Sequence, residues 1–255
     1  MADAQPREGR ENVRLPQLKD PDRGLGLRLA LASLAVALIM IPFTLLLVVA
    51  KMPLNGLDHQ VAVDLHAYAL AHPGMTRVLI VWTDLFGPWP WRIAVGLYAA
   101  WLLYRGAPRL AAWAITTMVV GGLLGLALKI VVARARPHLP DPVALAPGDS
   151  FPSGHAVNVT LGVGVIVLLL LPSLPRWGRR AVWAAGWLVV LSVAYTRVAL
   201  GVHWVSDVVG GIVLGVAVIA ATAAAFETWR REQGRRPASP VSEGVEPESV
   251  KVTHE

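Results

Sequence analysis

From residue 25 to residue 50 the chain is apolar almost without interruption, and five further apolar runs follow at about 89–104, 110–133, 155–171, 181–198 and 205–229. Crossing a bilayer takes about 20 apolar residues in a helix, so the pattern predicts six transmembrane helices, the second of them short. Residues 60–86 read differently. Apolar positions alternate there with His66, His72, Arg77 and Asp84, and Pro73-Gly74 breaks the run. That predicts two short helices lying in the membrane interface after the first span, with a seventh, partly buried segment as the alternative. Residues 1–24 and 231–255 mix Arg, Asp, Glu and Pro with few apolar side chains. Such tails cannot bury a core and are expected to be disordered. The expected fold class is all-α: one polytopic helical bundle over residues 25–230 between two tails.

Composition agrees. The chain of 255 residues is 55% hydrophobic and only 16% charged, where a soluble domain carries about a quarter charged residues. The absence of cysteine excludes disulfides, thiol nucleophiles and cysteine metal sites. The first apolar run stands behind a polar tail and is too long for a cleaved signal, so it reads as a retained helix. The net charge is +6, which in a soluble protein would suggest nucleic acid. Here the basic residues cluster in four segments: the N-terminal tail, Arg105 and Arg109, Arg176 with Arg179 and Arg180, and residues 230–236. With six spans all four fall on one side, and the positive-inside rule makes that side, with both termini, cytoplasmic. No nucleic-acid partner is expected. The Arg- and Ala-rich composition and short loops look bacterial, which points to the cell membrane.

The opposite side receives residues 51–88, 134–154 and 199–204. Their basic groups run against the rule, which suggests that they have a task. Glycine pairs at Gly121/Gly125 and Gly211/Gly215 have the spacing of close helix contacts. Packing within a monomer is the expected use, with homodimer formation as the alternative.

Three polar clusters stand at helix ends on that outer side. The first is Lys129 to Arg136-Pro137. Seven residues apart on a helix, Lys129 and Arg136 would share a face, with Pro137 ending the helix. They could snorkel to headgroups or clamp a phosphate. The second is Pro152-Ser153-Gly154-His155, a turn leading into a span. A helix N-terminus presents free N–H groups to an anion, although a histidine there can equally be a cap. The third joins Thr196-Arg197 to His203 and Asp207. One helical turn separates His203 from Asp207. A carboxylate on one imidazole nitrogen fixes the tautomer and makes the other more basic; a structural His–Asp pair is the plainer reading. Taken together, three cations, an anion-binding helix end and two histidines point to phosphoryl transfer. In that chemistry one histidine attacks and the other protonates the leaving oxygen. A metal held by His155, His203 and Asp207 is disfavoured by the three neighbouring cations.

These residues resemble the tripartite signature of the type-2 phosphatidic acid phosphatase family, K-x6-R-P, P-S-G-H and S-R-x5-H-x3-D. The match runs over residues 129–207, with Thr196 where the family has serine. The resemblance implies that His203 is the nucleophile, Asp207 its partner and His155 the general acid. It implies that Lys129, Arg136, Ser153, Gly154 and Arg197 hold the phosphate, and that hydrolysis needs no metal or other cofactor. The implied substrate is a phosphorylated lipid such as undecaprenyl diphosphate, phosphatidylglycerol phosphate, phosphatidic acid or diacylglycerol diphosphate, met at the extracytoplasmic face among membrane lipids. Residues 51–88 and the loop 138–150 are the variable parts; His138, Asp141 and Asp149 read there as solvated polar groups. A transporter or flippase for phosphorylated lipids and a non-catalytic lipid-binding protein are the competing classes, and both leave His203, Asp207 and His155 without a use.

Overall fold

The computed structural model describes residues 55–232 and 239–245. The expected first span, the N-terminal tail and most of the C-terminal tail lie outside the described residues. Every regular element among the described residues is helical. They are α1 (Asn55–Ala71), α2 (Pro73–Leu85), α3 (Pro88–Tyr104), α4 (Pro108–Val132), α5 (Gly154–Leu170), α6 (Arg176–Ala199), α7 (Val205–Glu232) and α8 (Pro240–Glu243).

Proline sets several of these boundaries. Pro73, Pro88 and Pro108 each occupy the first turn of their helix, where the missing N–H has no partner to lose. Two helices over the 60–86 region match the sequence reading, although α1 begins earlier, at Asn55.

Among the described residues, four helices have the length and apolarity to cross a membrane: Pro108–Val132, Gly154–Ser173, Arg176–Ala199 and Val205–Thr228. The 17-residue α3 is shorter. It exposes Trp89, Ile93, Leu97, Trp101 and Tyr104 along one stripe, the face a lipid-contacting helix presents. The protein is a multi-pass membrane protein. Arg176, Arg179 and Arg180, expected in a loop, lie in the opening turns of α6, because the preceding Pro175 starts that helix early.

Helix α5 is the centre of the bundle. Its residues from Ala156 to Val165 are buried without a break, as expected of a helix apolar all round. Glycines let its neighbours close in. A Cβ at Gly211 of α7 would stand 2.8 Å from Ala156 Cβ and 2.9 Å from the Ser153 carbonyl; one at Gly215 would stand 2.7 Å from Thr160. Gly121 of α4 faces Leu161 in the same way. Both glycine pairs are therefore used within the chain.

Residues 239–245 lie in a stretch expected to be disordered, yet they dock. Val245 is buried and donates its N–H to the Leu168 carbonyl at 3.0 Å. Arg179 donates to the Ser242 carbonyl (2.8 Å) and Trp183 to the Val241 carbonyl (3.1 Å). Pro240, Val241 and Val245 are the apolar positions of this short piece.

Candidate active site

The site forms where the start of α7, the start of α5 and the end of α4 meet. The residues before α7 set it up. Asp207, in the first turn, reaches back to accept the Trp204 N–H at 2.9 Å, satisfying one of the free donors of a helix start. The same oxygen, Oδ2, accepts from the Ser150 hydroxyl in a short bond and faces His203 Nδ1 at 3.3 Å. His203 therefore sits in the turn ahead of the helix, two residues before it begins, and still meets Asp207.

His203 Nε2 lies 3.1 Å from Arg136 Nη1. A guanidinium can only donate, so Nε2 accepts and the ring proton belongs on Nδ1, toward Asp207. The lone pair of Nε2 thus points at the cations. His203 is 2% exposed. Burial, aided by Arg136 and Arg197 and opposed by Asp207, lowers its pKa to about 4, so the imidazole is neutral at ordinary pH.

Arg136 is pinned by carbonyls. It donates to Val202 (2.6 Å), Gly148 (2.9 Å), Pro147 (3.0 Å) and Asp149 (3.2 Å). Burial lowers its pKa, with Asp207 and Asp149 opposing. Lys129 donates to the same Asp149 carbonyl at 2.5 Å. The shared-face expectation for Lys129 and Arg136 is corrected here. Helix α4 ends at Val132, Ala133 turns left-handed at φ 48°, and Arg136 reaches the site from non-helical chain. A conformation that most side chains avoid redirects the segment, and Pro137 follows a helix that has already stopped.

Ser153 caps α5, its hydroxyl accepting from the Ala156 N–H at 3.5 Å. Its own N–H donates to the Asp207 carbonyl at 3.0 Å, which ties the two helix starts together. A Cβ on Gly154 would meet nothing within 4 Å, so space lies open before this turn. His155 Nε2 stands 3.5 Å from where a Cβ on Gly87 would be, and His155 is within electrostatic reach of Arg197, His203 and Arg136. Arg197 is buried and donates to Thr83 at 3.2 Å, while its Nε has no hydrogen-bond partner among the described residues. The Thr196 hydroxyl bonds back to the Val193 carbonyl at 2.7 Å. The structure thus brings Lys129, Arg136, Ser153, Gly154, His155, Arg197, His203 and Asp207 to one end of the bundle. His138 and Asp141 stay exposed.

Sequence reasoning missed Asp58, Thr83, Arg134, Ser150 and Ser206. Arg134 bonds Asp207 Oδ1 at 2.8 Å and Asp58 Oδ2 at 2.9 Å. The one available signal was a second arginine inside the first cluster, two residues before Arg136.

The chain is similar to known proteins. The model of the PAP2 superfamily matches residues 110–231. The undecaprenyl-diphosphatase of Sulfolobus acidocaldarius is 36% identical over 119 residues, 45% of this chain and 54% of that protein. The protein YbjG of Escherichia coli (strain K12) is 30% identical over 148 residues, 50% of this chain and 70% of that protein. The chain spans about half the length of most of the curated relatives it matches. The crystal structure of a transmembrane PAP2 type phosphatidylglycerolphosphate phosphatase from Bacillus subtilis superposes with a TM-score of 0.64 at 24% identity, covering 79% of this chain and 98% of that one. The chain belongs to the PAP2 superfamily.

Proposed function

We propose that the protein is an integral membrane phosphatase that hydrolyses the phosphate monoester or diphosphate of a lipid through a phosphohistidine on His203. One observation carries the reading. His203 presents an unprotonated Nε2 to a cluster of cations, with Asp207 holding the proton on Nδ1. That places a basic ring nitrogen beside Arg136, where a bound phosphate would also be neutralised.

In this mechanism Lys129, Arg136 and Arg197 neutralise the phosphate oxygens, and the free N–H groups at Gly154 and His155 add hydrogen bonds. The unpartnered Arg197 Nε is a donor without an acceptor until an anion arrives. His203 Nε2 forms a bond to phosphorus while the bond to the leaving oxygen breaks, and His155 donates that oxygen its proton. Water then attacks the phosphohistidine, His155 takes a proton from it, and the N–P bond breaks to release phosphate. Cations fixed around the transferring group stabilise the charge that develops on it, usually the largest single contribution. The step is completed by side chains alone, so no cofactor is proposed.

The names of relatives support a lipid substrate of the undecaprenyl diphosphate or phosphatidylglycerol phosphate class. Residues 25–50 and α3 would complete a six-span bundle with cytoplasmic termini and an extracytoplasmic site. The test is phosphate release by detergent-purified protein from these lipids and phosphatidic acid, with EDTA present, for wild type and His203→Ala. Release by wild type alone is expected. Release that survives in the variant would overturn the role of His203, and no release by folded wild type would overturn the substrate class.

A further inference from the structure

The cations at this site divide into two kinds. Lys129, Arg136 and Arg197 bond to carbonyls, to an imidazole or to a hydroxyl, none of which neutralises them. Arg134 differs: one arm meets Asp207 and the other meets Asp58. Its charge is balanced by two carboxylates before any substrate arrives.

Asp58 comes from α1, far from the signature segments in sequence. It is buried and accepts the Ser206 N–H at 3.0 Å and the Ser206 hydroxyl at 2.5 Å. A carboxylate from another helix thus serves a free donor at the start of α7, where a negative charge is also favoured by the helix dipole. Arg134 adds a third tie, to the Ser206 hydroxyl at 2.6 Å. Asp207 is held from both sides: Oδ2 by Ser150, Trp204 and His203, and Oδ1, among the described residues, by Arg134.

We infer that the Asp58–Arg134 pair is a positioning device for phosphoryl transfer, locking the Asp207 carboxylate so that His203 keeps its proton on Nδ1 and its lone pair on Nε2. This rests on the phosphohistidine reading. Arg134 acts through Asp207 and does not touch the phosphate. Losing it frees Oδ1, leaves the carboxylate held through Oδ2 and removes one of the ties between α1 and the start of α7, the Asp58–Ser206 bonds remaining. Partners that orient a reactive group in this way are typically worth 10- to 100-fold.

The experiment uses full-length detergent-purified protein and the variants Arg134→Gln, Arg134→Lys, Asp58→Asn and, for contrast, Lys129→Ala. The readouts are kcat, KM and competitive inhibition by inorganic phosphate. Arg134→Gln should lower kcat about 10- to 100-fold while phosphate inhibition stays at the wild-type level. Arg134→Lys should restore most of kcat, and Asp58→Asn should lower it less than Arg134→Gln does. Lys129→Ala should weaken phosphate inhibition. Equal loss of kcat and phosphate affinity in Arg134→Gln would make Arg134 a phosphate ligand and overturn the inference, as would an unchanged kcat.

A second readout needs no turnover. Nitrogen NMR of histidine-labelled protein should show His203 as the Nδ1-protonated tautomer in wild type and as a mixture in Arg134→Gln, or in Asp58→Asn should the first variant not fold. An unchanged tautomer overturns the inference even if wild type proves inactive on every lipid tried, a result that would instead overturn the proposed reaction.

Discussion

The two ends of the bundle contrast. Away from the site, a cavity of about 740 Å³ opens between α5, α6 and α7, lined mostly by apolar groups such as Trp183, Trp187, Val190 and Ile219. A smaller one near Trp113 and Phe226 holds about 410 Å³. At the other end, beside the open space before Gly154, His203, Asp207, Ser150 and Ser153 are buried and hydrogen-bonded. Volume alone would send a search to the wrong end. Convergent, desolvated polar groups mark chemistry better than an apolar void does, since burying them is costly unless they are used or paired. Helix α5 joins the two regions: its first turn belongs to the site and its later turns line the larger cavity.

Perturbing each end should separate them. The largest effect is expected from His203→Ala, which should lower kcat by roughly 10⁴-fold or more, as removing a nucleophile does, with thermal unfolding little changed. Next, Arg197→Ala should cost on the order of 10²- to 10³-fold in kcat, the scale for one transition-state donor. It also leaves Thr83 without its guanidinium partner. The acid limb of the kcat/KM profile should lie near pH 4, where His203 takes up its proton and loses the attacking lone pair. A limb near 6.5, the ordinary imidazole value, would mean that His203 is not desolvated as the structure has it. Gly211→Ala should be milder: its Cβ would press on Ala156 and the Ser153 carbonyl. The expected loss is about 1–3 kcal/mol of stability, with reduced activity as the two helix starts part, measured by thermal melts beside turnover. The smallest effect belongs to Trp187→Ala at the far cavity, which should leave kcat unchanged. A substantial loss there would break the division between the two ends.

Much of this was legible in the sequence because membrane and motif signals are both local. Apolar runs of span length announce α4 to α7, and Pro73-Gly74 announces the break between α1 and α2. The three clusters name the site residues because their spacing is fixed within single segments. What escaped depends on the chain's path. The apolar run places the end of α4 within a residue of Val132, but the left-handed Ala133 gives no sign in it, so the seven-residue spacing alone puts Arg136 on a helix it does not belong to. Asp58 meets Ser206 across 148 residues, and no spacing rule spans that distance. Ser150 looked like loop polarity until folding placed it against Asp207. The dock of residues 239–245 uses Val241 and Val245, too few apolar positions to alter a composition-based reading.

The central claim is covalent catalysis by His203. Its most direct test is to mix purified protein with a phosphorus-labelled lipid diphosphate, quench within a turnover in base, where phosphohistidine survives, and locate the label by peptide mass spectrometry. The account predicts phosphate on the peptide carrying His203 and none in His203→Ala. Label on another residue, or steady wild-type turnover with no labelled protein at any quench time, would contradict it.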